Sequence, residues 1–86
     1  MNKAQMIFDS KVSFEPGTGR AILWADTPPG VRFQVLIDPR YAVHLWGLPT
    51  PVAPLAFLKA INEHLDEITK AAIAAYADGQ LVLQLD

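Results

Sequence analysis

Eighty-six residues, a net charge of −2 and no cysteine set the outer limits of this chain. The length suits one domain, 1–86, with one core. The missing thiols remove disulfides, zinc–thiolate sites, iron–sulfur clusters and cysteine nucleophiles, and the mixed charge leaves no basic stripe for phosphates or an anionic membrane. No apolar run reaches the roughly 18 residues of a membrane span, and MNKAQMIFDS lacks the apolar segment of a signal peptide. The expected setting is a reducing cytoplasm, with no membrane as partner and no basic stripe to favour a nucleic acid.

Residues 1–8 read as a loose lead-in from which Ile7 and Phe8 pack onto the domain. In KVSFE (11–15), Val12 and Phe14 alternate with polar neighbours, as in a strand. Pro16 and the glycines of PGTG supply a turn. RAILWA (20–25) is apolar on both faces, which predicts a central strand. DTPPG (26–30) breaks the chain, with Pro28-Pro29 in a turn, and VRFQVLI (31–37) alternates again. Three such runs joined by short turns predict an antiparallel β-meander.

The period then changes. Asp38 suits an N-cap, and Pro39 suits the first helical position, where an absent N–H costs nothing. Gly47 is a natural left-handed C-cap, with Leu48 placed for the hydrophobic contact that follows it and Pro49 stopping continuation. LPTPVAP (48–54) is a stiff connector. From Pro54 to Ala77, Leu55, Leu58, Ile61, Leu65, Ile68, Ala72 and Tyr76 recur at helical steps. One helix of that length spans roughly 36 Å, so a bend near His64–Asp66 is expected, and one helix or two stays open. Asp78-Gly79 ends it, and QLVLQLD (80–86) returns as a strand. The predicted fold is α+β: a three-stranded antiparallel meander, a short helix, a long or broken helix pair on one sheet face, and a C-terminal strand.

Chemistry is sparse. NEHLDE (62–67) sets a histidine among three carboxylates, but about 100° per residue turns the acids to the solvent side of the helix. There they interleave with Lys59 and Lys70, while His64 lies on the boundary within reach of Glu67. Two ligands on one helix make half a metal site, and no second copy of the motif exists. GTG (17–19) precedes a strand rather than a helix, unlike a phosphate loop. Ser10 and Ser13 are the only serines, and neither sits in a nucleophile elbow. No catalytic residue, cofactor or metal ligand is therefore assigned.

Two groups of residues merit a functional reading. Arg40, Tyr41, His44 and Trp46 form the densest set of recognition side chains, candidates to hold a small anionic ligand beside LPTPVAP. The face of the sheet away from the helices is expected to carry Lys11, Ser13, Arg32 and Gln34. With them come apolar Leu36, Val82 and either Ile22 with Trp24 or Leu23. A tryptophan ringed by polar residues is the composition of an interface centre.

The order of motifs, Ile37-Asp38, Trp46-Gly47, His64, Ile68 with Ala72, Asp78-Gly79 and the last strand, resembles the small bacterial proteins of domain-of-unknown-function family 1488. Arg40 and Leu65 depart from that pattern, where an acidic and a basic residue are expected. The resemblance implies a small α+β domain and brings no activity or cofactor. Together these readings lead to a non-enzymatic interaction module, a homodimer or an adaptor, working through Ile22, Trp24, Leu36 and Val82. The ligand site near the first helix is the alternative, and weak nucleic-acid association a lesser one.

Overall fold

The structure, a computed structural model, describes residues 6–28 and 30–86. Its elements are β1 (Ile7–Phe8), β2 (Ser13–Phe14), β3 (Ala21–Thr27), β4 (Val31–Ile37), α1 (Pro39–Trp46), α2 (Pro54–Glu63), α3 (Leu65–Ala77) and β5 (Val82–Leu85). The fold is α+β as expected, but the sheet has five strands, in the order β1-β3-β4-β5, with β2 also paired to β3.

The meander is modified at its first strand. Of KVSFE only Ser13–Phe14 pairs, while the lead-in supplies a strand of its own at Ile7–Phe8. Phe8 lies opposite Ala25 and Ser13 opposite Ile22, so β3 advances three residues while the edge chain uses five. Two residues bulge out, and because the surplus is even the side-chain alternation survives it. Phe8 and Phe14 both pack against the core. Residues 1–5 and Pro29, which include part of the expected lead-in and of the Pro28-Pro29 turn, lie outside the described residues.

β3 and β4 pair over their whole length, from Ala21 opposite Ile37 to Thr27 opposite Val31. One face of the pair is buried: Ala21, Leu23, Ala25 and Thr27 from β3, Phe33, Val35 and Ile37 from β4. Thr27 is the exception in polarity, and its hydroxyl donates to the Val31 carbonyl at 2.7 Å. β5 runs parallel to β4, with Val35 opposite Leu83. Parallel neighbours need a long crossover connection, which the three helices supply.

α1 begins and ends as its residues dictate. The Asp38 side chain accepts from the Arg40 backbone N–H, Pro39 opens the helix, and Gly47 closes it at φ 73°. The Asp38 backbone N–H also donates to the Leu85 carbonyl at 2.8 Å, tying the start of the helix to the end of β5. The Arg40 guanidinium, then its backbone N–H, hold the Asp38 carboxyl below the ordinary aspartate value. A depressed folded value means stability that is present above the ordinary range and lost as the pH falls through the folded one. Asp38→Ala is expected to cost about 1 kcal/mol at pH 7. In urea melts at several pH values, the gap to the native protein should shrink below about pH 4.

The run from Pro54 breaks at His64, whose φ −106° and ψ 18° leave the helical well. A straight helix of that length, roughly 36 Å, would overrun strands of about 24 Å. The break lets α2 and α3 both reach the core, with Phe57, Ala60 and Ile61 on one and Ile68, Ala72 and Ala75 on the other. Leu55 is a correction. Read as part of the buried stripe, it is 81% exposed, because it lies about 120° around the helix from Ile61, whereas Phe57 lies about 40° away.

Candidate functional site

The helices cover one face of the sheet and leave the other bare. Alternation sends Ile22, Trp24 and Asp26 of β3 to the bare face, with Arg32, Gln34 and Leu36 of β4 and Val82 and Gln84 of β5. Registers make these residues neighbours: Ile22 opposite Leu36, Trp24 opposite Gln34, and Gln34 opposite Val82. The four residues read from the sequence as an interface therefore share one face, and the choice between Trp24 and Leu23 falls to Trp24, since Leu23 is buried. Trp24 is 38% exposed and Val82 42%.

Arg32 braces this patch. One guanidinium nitrogen donates to Asp26 Oδ1 and the other to Asp9 Oδ2, each at 2.9 Å. The guanidinium carbon stands 5.4 Å from the centre of the Trp24 ring. Hydrogen bonding to Arg32 lowers the Asp9 carboxyl, and bonding to Asp9 and then Asp26 raises Arg32. These groups are exposed, so the ion pairs add little stability. What they supply is order, because a tryptophan held in place loses less side-chain freedom on docking. Trp24 has Ile22 on one side and polar Gln34, Asp26 and Arg32 around the rest, and an exposed aromatic with a fixed ring is the kind of anchor an interface uses.

The second group is only partly brought together. Arg40 is exposed and turned back onto Asp38, with its Nε 3.1 Å from Asp38 Oδ1, and His44 is exposed. Tyr41 and Trp46 join residues from elsewhere. The Tyr41 ring meets Trp46 edge-on at 5.5 Å, Trp46 stacks on His64 at 4.5 Å and 3°, and His64 Nδ1 lies 3.3 Å from Glu67 Oε1. Burial, then the Glu67 carboxylate, raise the Tyr41 hydroxyl above the ordinary phenol value. The i,i+3 contact of His64 with Glu67 was legible in the spacing. The stack on Trp46 was not, because the break that aims the imidazole at α1 depends on how the two helices meet the sheet.

Among the described residues no pocket opens, and no three His, Asp or Glu side chains gather in a way that holds a metal ion. No described helix is long and apolar enough to cross a membrane. Comparison of the chain with protein-family models, with curated proteins and with solved structures found no match.

Proposed function

We propose that this chain is a non-enzymatic, self-associating module of the bacterial cytoplasm, two copies of which meet through the bare faces of their sheets. The observation that carries this reading is the apolar run of Trp24, Ile22 and Leu36, with Val82 across Gln34, on a face that no described helix covers. A second copy suits it. Arg32 is held between Asp9 and Asp26, so this cation has its anions within its own copy and the rim keeps one net negative charge, which the apolar contact must outweigh. Kinship with domain-of-unknown-function family 1488 belongs to the same proposal and adds no activity to it.

The test is Trp24→Asp, which puts an unpaired charge at the centre of the contact. Light scattering behind size exclusion should give half the native mass, with the far-ultraviolet circular dichroism spectrum unchanged. An unchanged mass overturns the reading.

A second reading, a small anionic ligand beside α1, draws on one observation: among the described residues the buried Trp46 Nε1–H has no acceptor within hydrogen-bond distance. An unmet buried donor costs about 1–3 kcal/mol, and a ligand oxygen would relieve it. Inorganic phosphate and simple mono- and dicarboxylates at millimolar concentration should then raise Tm by mass action, and Trp46→Phe should abolish the rise. A flat Tm with every probe, and a Trp46→Phe variant at least as stable as the native protein, removes this reading.

A further inference from the structure

The two edges of the sheet are unlike. On the β3 side the edge is two short strands, Ile7–Phe8 and Ser13–Phe14, interrupted by the bulge, a form that resists pairing with another chain. On the β4 side the edge is β5, whose residues Val82–Leu85 include no charge and no proline, the usual protections of an edge. The carbonyls of Leu81 and Leu85 accept from Gln34 and Asp38 of the β4 side. By alternation, residues 81, 83 and 85 turn their peptide groups to β4, and Val82 and Gln84 turn theirs outward. Nothing described bonds to those outward groups.

The side chains of β5 are also incompletely covered. Its neighbours Val35 and Ile37 are fully buried, whereas Leu83 and Leu85 in the same layer are only half-buried and Leu81 is 52% exposed.

From these observations we infer that β5 is the pairing edge for a second copy of this chain, joined to it antiparallel with Leu83 on the two-fold axis. In this register Val82 of each copy exchanges both backbone hydrogen bonds with Gln84 of the other. On the helix side the half-buried leucines meet, Leu83 against Leu83 and Leu81 against Leu85, and each gains cover. Asp86 falls opposite the neutral Gln80 of the second copy, so no like charges are opposed. The pairing is thus satisfied in hydrogen bonds, apolar contact and charge by the same short segment twice.

Edge pairing also explains how the bare face becomes large enough to dock. Four strand positions about 4.8 Å apart and seven residues of about 3.4 Å give a footprint of about 450 Å². A stable interface buries about 800 Å² per partner. Pairing at β5 lays two faces side by side in one continuous sheet, because Val82 at the edge belongs to the patch, and the joined footprint is about 900 Å². The edge axis is perpendicular to the sheet and the face-to-face axis lies parallel to it, so with the face axis passing through the β5 junction the two contacts close into a tetramer with dihedral symmetry. Only this last step rests on the proposed face contact; the edge pairing stands on β5 alone.

Because the chain has no cysteine, Leu83→Cys gives a clean report. In an antiparallel, non-hydrogen-bonded pair the two Cα atoms lie about 4.5 Å apart, within disulfide reach. Mild oxidation should link most of the protein into a covalent dimer. Gln84→Pro removes an outward N–H and no bond to β4, and should halve the native mass with the circular dichroism spectrum unchanged. No crosslink from Leu83→Cys, or an undiminished mass for Gln84→Pro, overturns the edge pairing.

The two contacts separate in the double variants. If Leu83→Cys still crosslinks in the Trp24→Asp background, while Trp24→Asp alone leaves the mass unchanged, the edge holds and the face reading fails. If Trp24→Asp halves the mass and Leu83→Cys does not crosslink, the face holds and the edge pairing fails.

Discussion

Phe33→Ala is expected to remove about a quarter or more of the protein's folding stability. Phe33 is fully buried at the centre of the covered sheet face. It lies opposite Ala25 on β3, so the ring fills space that its small neighbour leaves. Its other side meets the Tyr76 ring edge-on at 6.1 Å, which links β4 to the last turns of α3. Deleting a buried aromatic ring typically costs about 3–5 kcal/mol, through lost transfer energy and the cavity left behind. A domain of this length commands about 4–13 kcal/mol in all. In urea at 25 °C the unfolding midpoint should fall by about a quarter or more. Phe33→Leu, which keeps most of the volume, should lose much less. A Phe33→Ala midpoint within experimental error of the native one would mean that the sheet does not bury this face.

The second large effect separates two residues of α2. Phe57 is buried and contacts Phe14, ring centres 5.8 Å apart, so it fastens the helix to the interrupted edge strand. Leu55, two residues earlier, is on the outside. Phe57→Ala should cost about 3–5 kcal/mol, and Leu55→Ala should stay within about 0.5 kcal/mol of the native protein. Paired urea melts decide it. A larger loss at Leu55 than at Phe57 would rotate the helix about its axis and redraw the core.

That contrast marks one limit of the sequence. The stripe from Ile61 to Tyr76 was legible because apolar residues there fall at three- and four-residue steps with polar residues between them. Near Pro54 the apolar residues crowd together, Leu55, Ala56, Phe57 and Leu58 in a row, and spacing alone does not choose among them. Local signals did better. Asp38, Pro39 and Gly47 define α1 through groups on the same few residues, and they stand where capping chemistry puts them. Strands made by distant partners were less accessible. Ile7–Phe8 is too short to show alternation, and it is a strand only because Asp26 and Ala25 lie beside it. For β5 the alternation was plain, but nothing in it named β4 as the neighbour or the parallel direction.

The candidate interface was legible for a related reason. RAILWA is apolar on both faces, which reads as a central strand, and β3 is central in the sheet. In the structure only one side is covered, by the helices, and the surplus apolar side chains Ile22 and Trp24 remain on the bare face. A strand more apolar than its own fold requires is what a second surface would leave in the sequence. The cluster of Tyr41, Trp46, His64 and Glu67 left no such trace, because its members come from separate segments and meet only through the break at His64.

The central claim is that this chain associates with itself through its sheet. Its most direct test is the solution mass of the native protein by light scattering over a dilution series. Four times the 9.4 kDa chain mass at high concentration, passing through twice that mass on dilution, is the expected result. A mass of 9.4 kDa at every concentration, up to the solubility limit, would contradict it.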